Sequence, residues 1–331
     1  MSKHPDTDYL YLSARLKALD KNLLTREKLG RLTSARSGEE AVKLLTENGW
    51  GEFDPADLSS LEKQIDVQRE AAFELLYRYA PDRSVIDVFR LKYDYHNLKA
   101  LIKAQALGID AHELLSGAGS IPPHKLESIL REKSTHELDD TMREAVLESI
   151  DLLARTGDPQ LSDLVLDRAM FAQMVSISQA SESEYLQGYV RLMIDCANLR
   201  VVVRAARAGK GFDYLRRAVL AGGTVAPDRL TGEATADSVQ SAFTGKYLAA
   251  ASSAAAQALT DGGLAALDLA CDNALIQYIR AARLIAFGEA HIISYLTARE
   301  AELVSVRTVM AGRAAGLRED QIMERLRVSY V

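Results

Sequence analysis

Acidic and amide side chains three residues apart occur at three places in this sequence. They read Asp94-x-x-Asn97-Leu98-Lys99, Asp195-x-x-Asn198-Leu199-Arg200 and, in altered form, Glu302-x-x-Ser305-Val306-Arg307, at spacings of 101 and 107 residues. An acid and an amide at i and i+3 share one face of a helix. Such a pair could ligate a cation or work as a general acid beside a hydrogen-bond partner. Buried, the same pair would instead clasp neighbouring backbone. Catalysis does not require three copies of one pair in separate modules, so the triplets Asp94, Asn97, Leu98; Asp195, Asn198, Leu199; and Glu302, Ser305, Val306 are read as structural clasps.

The basic residues beside them point elsewhere. Lys99, Lys103, Arg200, Arg204 and Arg307 lie about 140° or more around the helix from the acid, and Arg207 continues the second row. Cations favour helix C-terminal ends and water. If three equivalent helix ends met around a pseudo-threefold axis, the same residues would form a basic mouth for an acidic partner. The third copy departs here, with Ala311 in the place of a second cation.

The elements that must position these residues are helical. After each acid the residues at i+4, i+7 and i+8 are apolar: Leu98, Leu101 and Ile102; Leu199, Val202 and Val203; Val306, Val309 and Met310. That stripe has the period of a helix, about 3.6 residues. Because acid and amide sit on it, both should be buried and need partners, for which the free groups at neighbouring helix ends are the expected source. Further landmarks keep similar offsets. Gly119-Ser120-Ile121-Pro122-Pro123 is matched by Gly223-Thr224-Val225-Ala226-Pro227, with a shorter echo in Leu24-Thr25-Arg26-Glu27-Lys28-Leu29, and Asp167-Arg168-Ala169-Met170-Phe171 by Asp272-Asn273-Ala274-Leu275-Ile276. A unit this long exceeds a solenoid repeat of roughly 20 to 50 residues. The chain therefore reads as three related helical domains, 1–110, 111–212 and 213–331, with helices possible across the boundaries. Residues 8–50 read as two helices with a break near Asn22 to Thr25, and 55–80 and 126–155 as amphipathic helical stretches. An Ala- and Ser-rich stretch at 242–260 reads as a weakly specified helix. From Leu269 to Gly312 runs one helical pattern broken at Phe287-Gly288. No segment alternates as a strand does.

Composition narrows the function. Only 7 of 331 residues are Pro, while Ala, Leu, Glu and Arg abound, which favours an all-α fold. A net charge of −6 argues against general affinity for nucleic acid or anionic lipid. No uncharged apolar run reaches roughly 18 residues, so direct membrane insertion is not expected, and the N-terminus lacks a signal-type apolar stretch, which places the protein in the cytoplasm. Cys196 and Cys271 form no metal motif and read as buried small hydrophobes. There is no phosphate loop, dinucleotide fingerprint, His-Glu-x-x-His pair or nucleophile elbow, and His96 has unionisable counterparts in Ala197 and Val304. No catalytic residue, cofactor or metal is therefore assigned.

The run Tyr93-Asp94-Tyr95-His96-Asn97-Leu98-Lys99 resembles the most recognisable segment of the C subunit of archaeal and bacterial V-type (A/V-type) ATPases, a family to which the d subunit of eukaryotic V-ATPases is related. Phe287-Gly288-Glu289, Tyr295-Leu296, Arg299-Glu300-Ala301-Glu302, Gly316-Leu317-x-Glu319-x-x-Ile322 and the closing Tyr330-Val331 are similar to its last helix and tail. The resemblance implies three helical domains around a pseudo-threefold axis, shaped like a funnel, and no catalysis. It implies a rotor subunit that receives the foot of the central shaft and rests on the cytoplasmic loops of the membrane rotor ring, peripheral on the cytoplasmic face, coupling ATP hydrolysis or synthesis to ion transport. Central-shaft subunits and the ring would be its partners, with no nucleic acid among them. Other readings of the residues are an all-helical adaptor or scaffold of unrelated function and an all-helical enzyme with a pocket between domains.

Overall fold

The computed structural model describes residues 4–331, and among them there is no strand. The helices are α1 (Leu10–Leu19), α2 (Arg26–Thr33), α3 (Gly38–Thr46), α4 (Leu58–Tyr79), α5 (Ser84–Leu107), α6 (Pro123–Glu132), α7 (Asp140–Thr156), α8 (Pro159–Ala180), α9 (Glu184–Arg207), α10 (Phe212–Ala218), α11 (Ala236–Ala242), α12 (Ala249–Thr260), α13 (Leu264–Arg280), α14 (Ala290–Ala314) and α15 (Glu319–Met323).

Local chemistry sets most boundaries. Thr25, Ser37, Asp57, Asp139, Asp158 and Ser183 each accept a backbone N–H in the first turn of the helix that follows. Gly108 and Gly157 stop α5 and α7 with left-handed backbone. One expectation changes and another gains detail. Residues 8–50 hold three helices, because Ser37 starts α3 directly after α2 ends. The 126–155 stretch is two helices, because Lys133 turns left-handed at φ 57° and Asp139 caps a new start. The Ala- and Ser-rich stretch does form a helix, but only from Ala249, after Gly245 turns back through its carbonyl to Leu248 N–H. The break at Phe287-Gly288 is present, with Gly288 at φ 135°.

Three long helices, α5, α9 and α14, carry the three motifs and run for 24, 24 and 25 residues. Their buried residues lie on more than one stripe, because other helices pack around them. α8 lies along α5, α13 along α9, and α4 along α14. The last pairing joins the two ends of the chain. Leu29, Leu32, Leu45, Trp50, Leu61 and Ile65 from the N-terminal region share one core with Leu303, Val306, Val309, Met310, Ile322 and Leu326 from the C-terminal region. A second core lies between α9 and α13, and the largest runs from α1 through α9 to α14. Packing thus crosses the sequence boundaries at 110 and 212.

Arg313 ties that closure down. Its Nη1 donates to Thr33 O at 2.6 Å, and Nη2 donates to Ala35 O at 2.7 Å and Ser37 O at 3.1 Å. Arg313→Met keeps the stem and removes the donors. It should lower the urea midpoint by an amount equivalent to about 1–3 kcal/mol without changing the slope; an unchanged midpoint would show that the closure does not need this arginine.

Candidate functional site

Each motif acid is buried against a loop, not against the end of a helix. Asp94, Asn97, Asp195 and Asn198 have 0% relative exposure. Asp94 Oδ2 accepts Ser120 N–H at 3.0 Å and the Ser120 hydroxyl at 2.6 Å, while Oδ1 accepts Ile121 N–H at 2.9 Å. Asp195 repeats this with Thr224, whose N–H and hydroxyl lie at 2.9 and 2.6 Å, and more weakly with Val225 N–H at 3.4 Å. The amides work in both directions. Asn97 exchanges two hydrogen bonds with the Ser116 backbone, each 2.8 Å, and Asn198 does so with Leu220 at 2.9 and 2.8 Å. Each motif therefore grips the loop that follows its own helix and leads into the next landmark. Leu98, Leu199 and Val306 are fully buried beside the polar pairs.

The third copy closes across the termini. Glu302 Oε1 accepts the N–H of Leu24 at 3.1 Å, and Oε2 pairs with Arg299. Leu24 opens the N-terminal echo of the landmark, so the last motif holds the first loop. Leu23 precedes Leu24 where Ser120 precedes Ile121, so the hydroxyl donor is gone, and the longer Glu reaches the remaining amide. Ser305 cannot replace the amide and donates to Ala301 O of its own helix at 2.7 Å. Burial raises the carboxyls of Asp94, Asp195 and Glu302 above their usual range. The loop donors, and Arg299 beside Glu302, pull them back in part.

The basic residues hold helices together. Lys99 and Lys103 meet Asp167 and Asp163 on α8, the second pair at 2.9 Å. Arg200 reaches Asp272 at 2.6 Å and Asp268 at 3.0 Å on α13, and Arg204 reaches Asp268 at 2.8 Å. Arg307 pairs with Glu62 on α4. Two cations one turn apart thus face two carboxylates one turn apart, twice, and the row is shortened where Ala311 stands. Arg207 donates to the carbonyls of Ala258 and Gly262. These charges face their own chain's carboxylates and carbonyls, while Arg204 and Arg307 remain 52% and 40% exposed.

The three motif helices converge on a cavity of about 220 Å³, to which α5 contributes Val88, Phe89 and Lys92, α9 Tyr189 and Met193, and α14 Thr297, Glu300, Ala301 and Val304. Phe89 and Tyr189 stack with ring centroids 5.5 Å apart, and Thr297 donates to the Tyr189 hydroxyl at 2.9 Å. On one wall Glu300 gathers Lys92 at 3.2 Å, Arg69 Nε at 2.8 Å and the Tyr93 hydroxyl at 2.8 Å. Burial alone would raise this carboxyl, but Lys92 and Arg69 outweigh it and hold it at about 2. The pairing acts in reverse on Lys92, which is pushed up by Glu300 against the effect of burial. Sequence reasoning passed over this cluster. The signal was present: Lys92, Met193 and Glu300 each stand two residues before a motif acid and so repeat its spacing.

Among the described residues no group of three or more His, Cys, Asp or Glu side chains is placed to hold a metal ion. The thiols of Cys196 and Cys271 are buried, free, and directed at each other's backbone carbonyl at 3.6 and 3.8 Å. No helix among the described residues is long and apolar enough to cross a membrane.

The family model described as ATP synthase (C/AC39) subunit matches residues 12–325. The chain is 25% identical over 338 aligned positions to the C subunit of the A-type ATP synthase of Methanocaldococcus jannaschii, covering 95% of this chain and 85% of that protein. It is 26% identical over 238 positions to the C subunit of the A-type ATP synthase of a Desulfurococcus species, covering 68% and 64%. To the C subunit of the V-type sodium ATPase of Enterococcus hirae it is 22% identical over 273 positions, covering 81% and 82%.

Two outcomes follow from the geometry. A Cβ on Gly119 or Gly223 would collide with the carboxylate of Asp94 or Asp195, whereas one on Gly117 meets open space. Gly223→Ala and Gly119→Ala should each cost about 1–3 kcal/mol in urea denaturation, and Gly117→Ala no more than about 0.5 kcal/mol; equal effects would show that the clasp tolerates a displaced loop. The second concerns acid. The folded carboxyl of Glu300 lies below its ordinary 4.5, at about 2. Its contribution is therefore present above the unfolded value and lost as pH falls towards the folded one. The stability gap between the natural protein and Glu300→Gln should be widest above about pH 5 and narrow steadily with acid. A gap independent of pH between about 6 and 3 on the same denaturation curves would count against the charge cluster.

Proposed function

The chain belongs to the ATP synthase (C/AC39) subunit family, and we propose that it is a non-catalytic rotor subunit of a V-type rotary ATPase. In this reading it is a socket that links the central shaft to the membrane rotor ring and couples ATP hydrolysis or synthesis to ion transport. The observation that carries the reading is the convergence of α5, α9 and α14 on one cavity, each braced by a motif residue gripping a loop. A part that passes torque between two partners has to resist shear between its own pieces. Buried, fully donated carboxylates and paired rows of charge between long helices suit that demand.

The division into 1–110, 111–212 and 213–331 is proposed as the repeat unit, set around a pseudo-threefold axis in a funnel. The N-terminal loop and helices complete the unit of α14. The lack of a membrane-crossing helix among the described residues suits a peripheral position on the cytoplasmic face, held through the ring and the shaft subunits. No observation favours the adaptor or enzyme readings over this one.

Removal and reconstitution test the proposal. Membranes stripped of this protein should lose ATP-driven ion pumping while the released catalytic head keeps its ATPase activity, and adding the purified chain back should restore pumping. Pumping at the normal rate without it would refute the coupling role.

A further inference from the structure

The first motif helix, α5, leaves open against α7 a groove that the second, α9, closes against α12 with its own arginine. Arg207, in the last turn of α9, donates from Nη1 to Ala258 O at 3.3 Å and Gly262 O at 2.8 Å, across the end of α12. The residue 101 positions earlier, the step that separates Asp94 from Asp195, is Ala106 in the last turn of α5. The carbonyls have counterparts too. α7 and α12 both end on a threonine, Thr156 and Thr260, which aligns Ala154 with Ala258; the turn after α12 is longer, and Gly157 and Gly262 correspond when counted back from the next helix, each standing two residues before it. Ala106, Ala154 and Gly157 line a single groove of about 570 Å³ between α5 and α7. Where the arginine stem would lie, the groove offers Ile150 and Leu153.

We propose that this groove docks an arginine of a partner protein, presented between aliphatic side chains. The guanidinium would take the place that Arg207 fills between α9 and α12, at the carbonyls of Ala154 and Gly157. Those carbonyls suit a cation. They lie at the C-terminal end of α7, the negative end of its dipole. The N–H of Asp158, which would continue the helix ladder onto Ala154 O, bonds to Thr156 Oγ1 instead. Lys103, which also lines the groove, is already paired with Asp163 Oδ2, and the buried Oδ1 of Asp163 has no donor. The flanks suit aliphatic neighbours. Leu107 and Ile150, both in the lining, are 71% and 38% exposed, and Ile150 stands where α12 has Ala254. A guanidinium on a three-carbon stem matches a site with carbonyls at its end and an apolar floor.

The full chain, carrying labelled Ile and Leu methyl groups, is titrated with acetyl-Leu-Arg-Leu-amide and with the same peptide carrying citrulline, a neutral isostere, in place of arginine. The arginine peptide should produce saturable shifts at Ile102, Ile150 and Leu153, and the citrulline peptide should bind about tenfold more weakly, the difference expected of a charged donor. Ala106→Arg should fill the groove from within, abolish the response to both peptides and raise the unfolding temperature. Equal binding of the two peptides, shifts confined to other methyls, or an undiminished response in Ala106→Arg would overturn the proposal. The comparison of the two peptides on the natural chain stands even if the variant does not fold. None of these outcomes depends on the rotary reading.

Discussion

A carboxylate buried without a cation at its side has to be met by donors, and in this protein the loop that begins the next unit supplies them. Leaving such a group unpaired costs several kcal/mol or forces it to take up a proton. The position of the Ser120–Ile121 loop is therefore dictated by Asp94, and that of Thr224–Val225 by Asp195. Other choices follow from this one. A hydroxyl residue sits where a second donor is needed, and a glycine precedes it because the carboxylate occupies the space of a side chain. The amide one turn on fastens the loop a second time, four residues before Ser120 or Thr224. With Asn22 and Leu23 where the other loops have a glycine and a hydroxyl residue, the third copy uses a longer acid with Arg299 at its side.

The third contact changes the meaning of the repeat. Each motif helix grips the landmark downstream of it, so the last helix has none left except the one at the start of the chain. Glu302 on Leu24, Arg307 on Glu62 and Arg313 on residues 33–37 close the chain end to end. The three long helices then line one cavity together with Met174 of α8, residues of α13 and Arg327. The ion pairs between α5 and α8, and between α9 and α13, are partly exposed and individually weak; their value lies in fixing helix register at several points at once.

Much of this could be read from residue order. The motif spacing, the landmark offsets and the burial of acid and amide all came from periodicity and residue type, and the whole-chain family match agrees with the resemblance carried by residues 93–99 and the C-terminal segments. What could not be read was direction. A landmark preceding a motif in sequence looks like its partner, whereas the contact runs to the motif before it, because chain order says nothing about which of two neighbours a buried acid will face. The role of the cations was hidden for a similar reason. Asp163 and Asp167, or Asp268 and Asp272, look like the solvated face of a helix until α8 and α13 are laid against the basic rows. Short elements such as α3 depended on one cap, Ser37, within a polar stretch that resembles a loop.

As the proposed rotor subunit, this chain should turn with the shaft. In an assembled complex fixed by its catalytic head, a bead attached to a cysteine introduced at an exposed position of this chain reports its motion directly. On addition of ATP the bead should rotate continuously in one direction at the rate of a bead placed on the shaft. A bead that stays fixed relative to the head while the shaft turns would contradict the account.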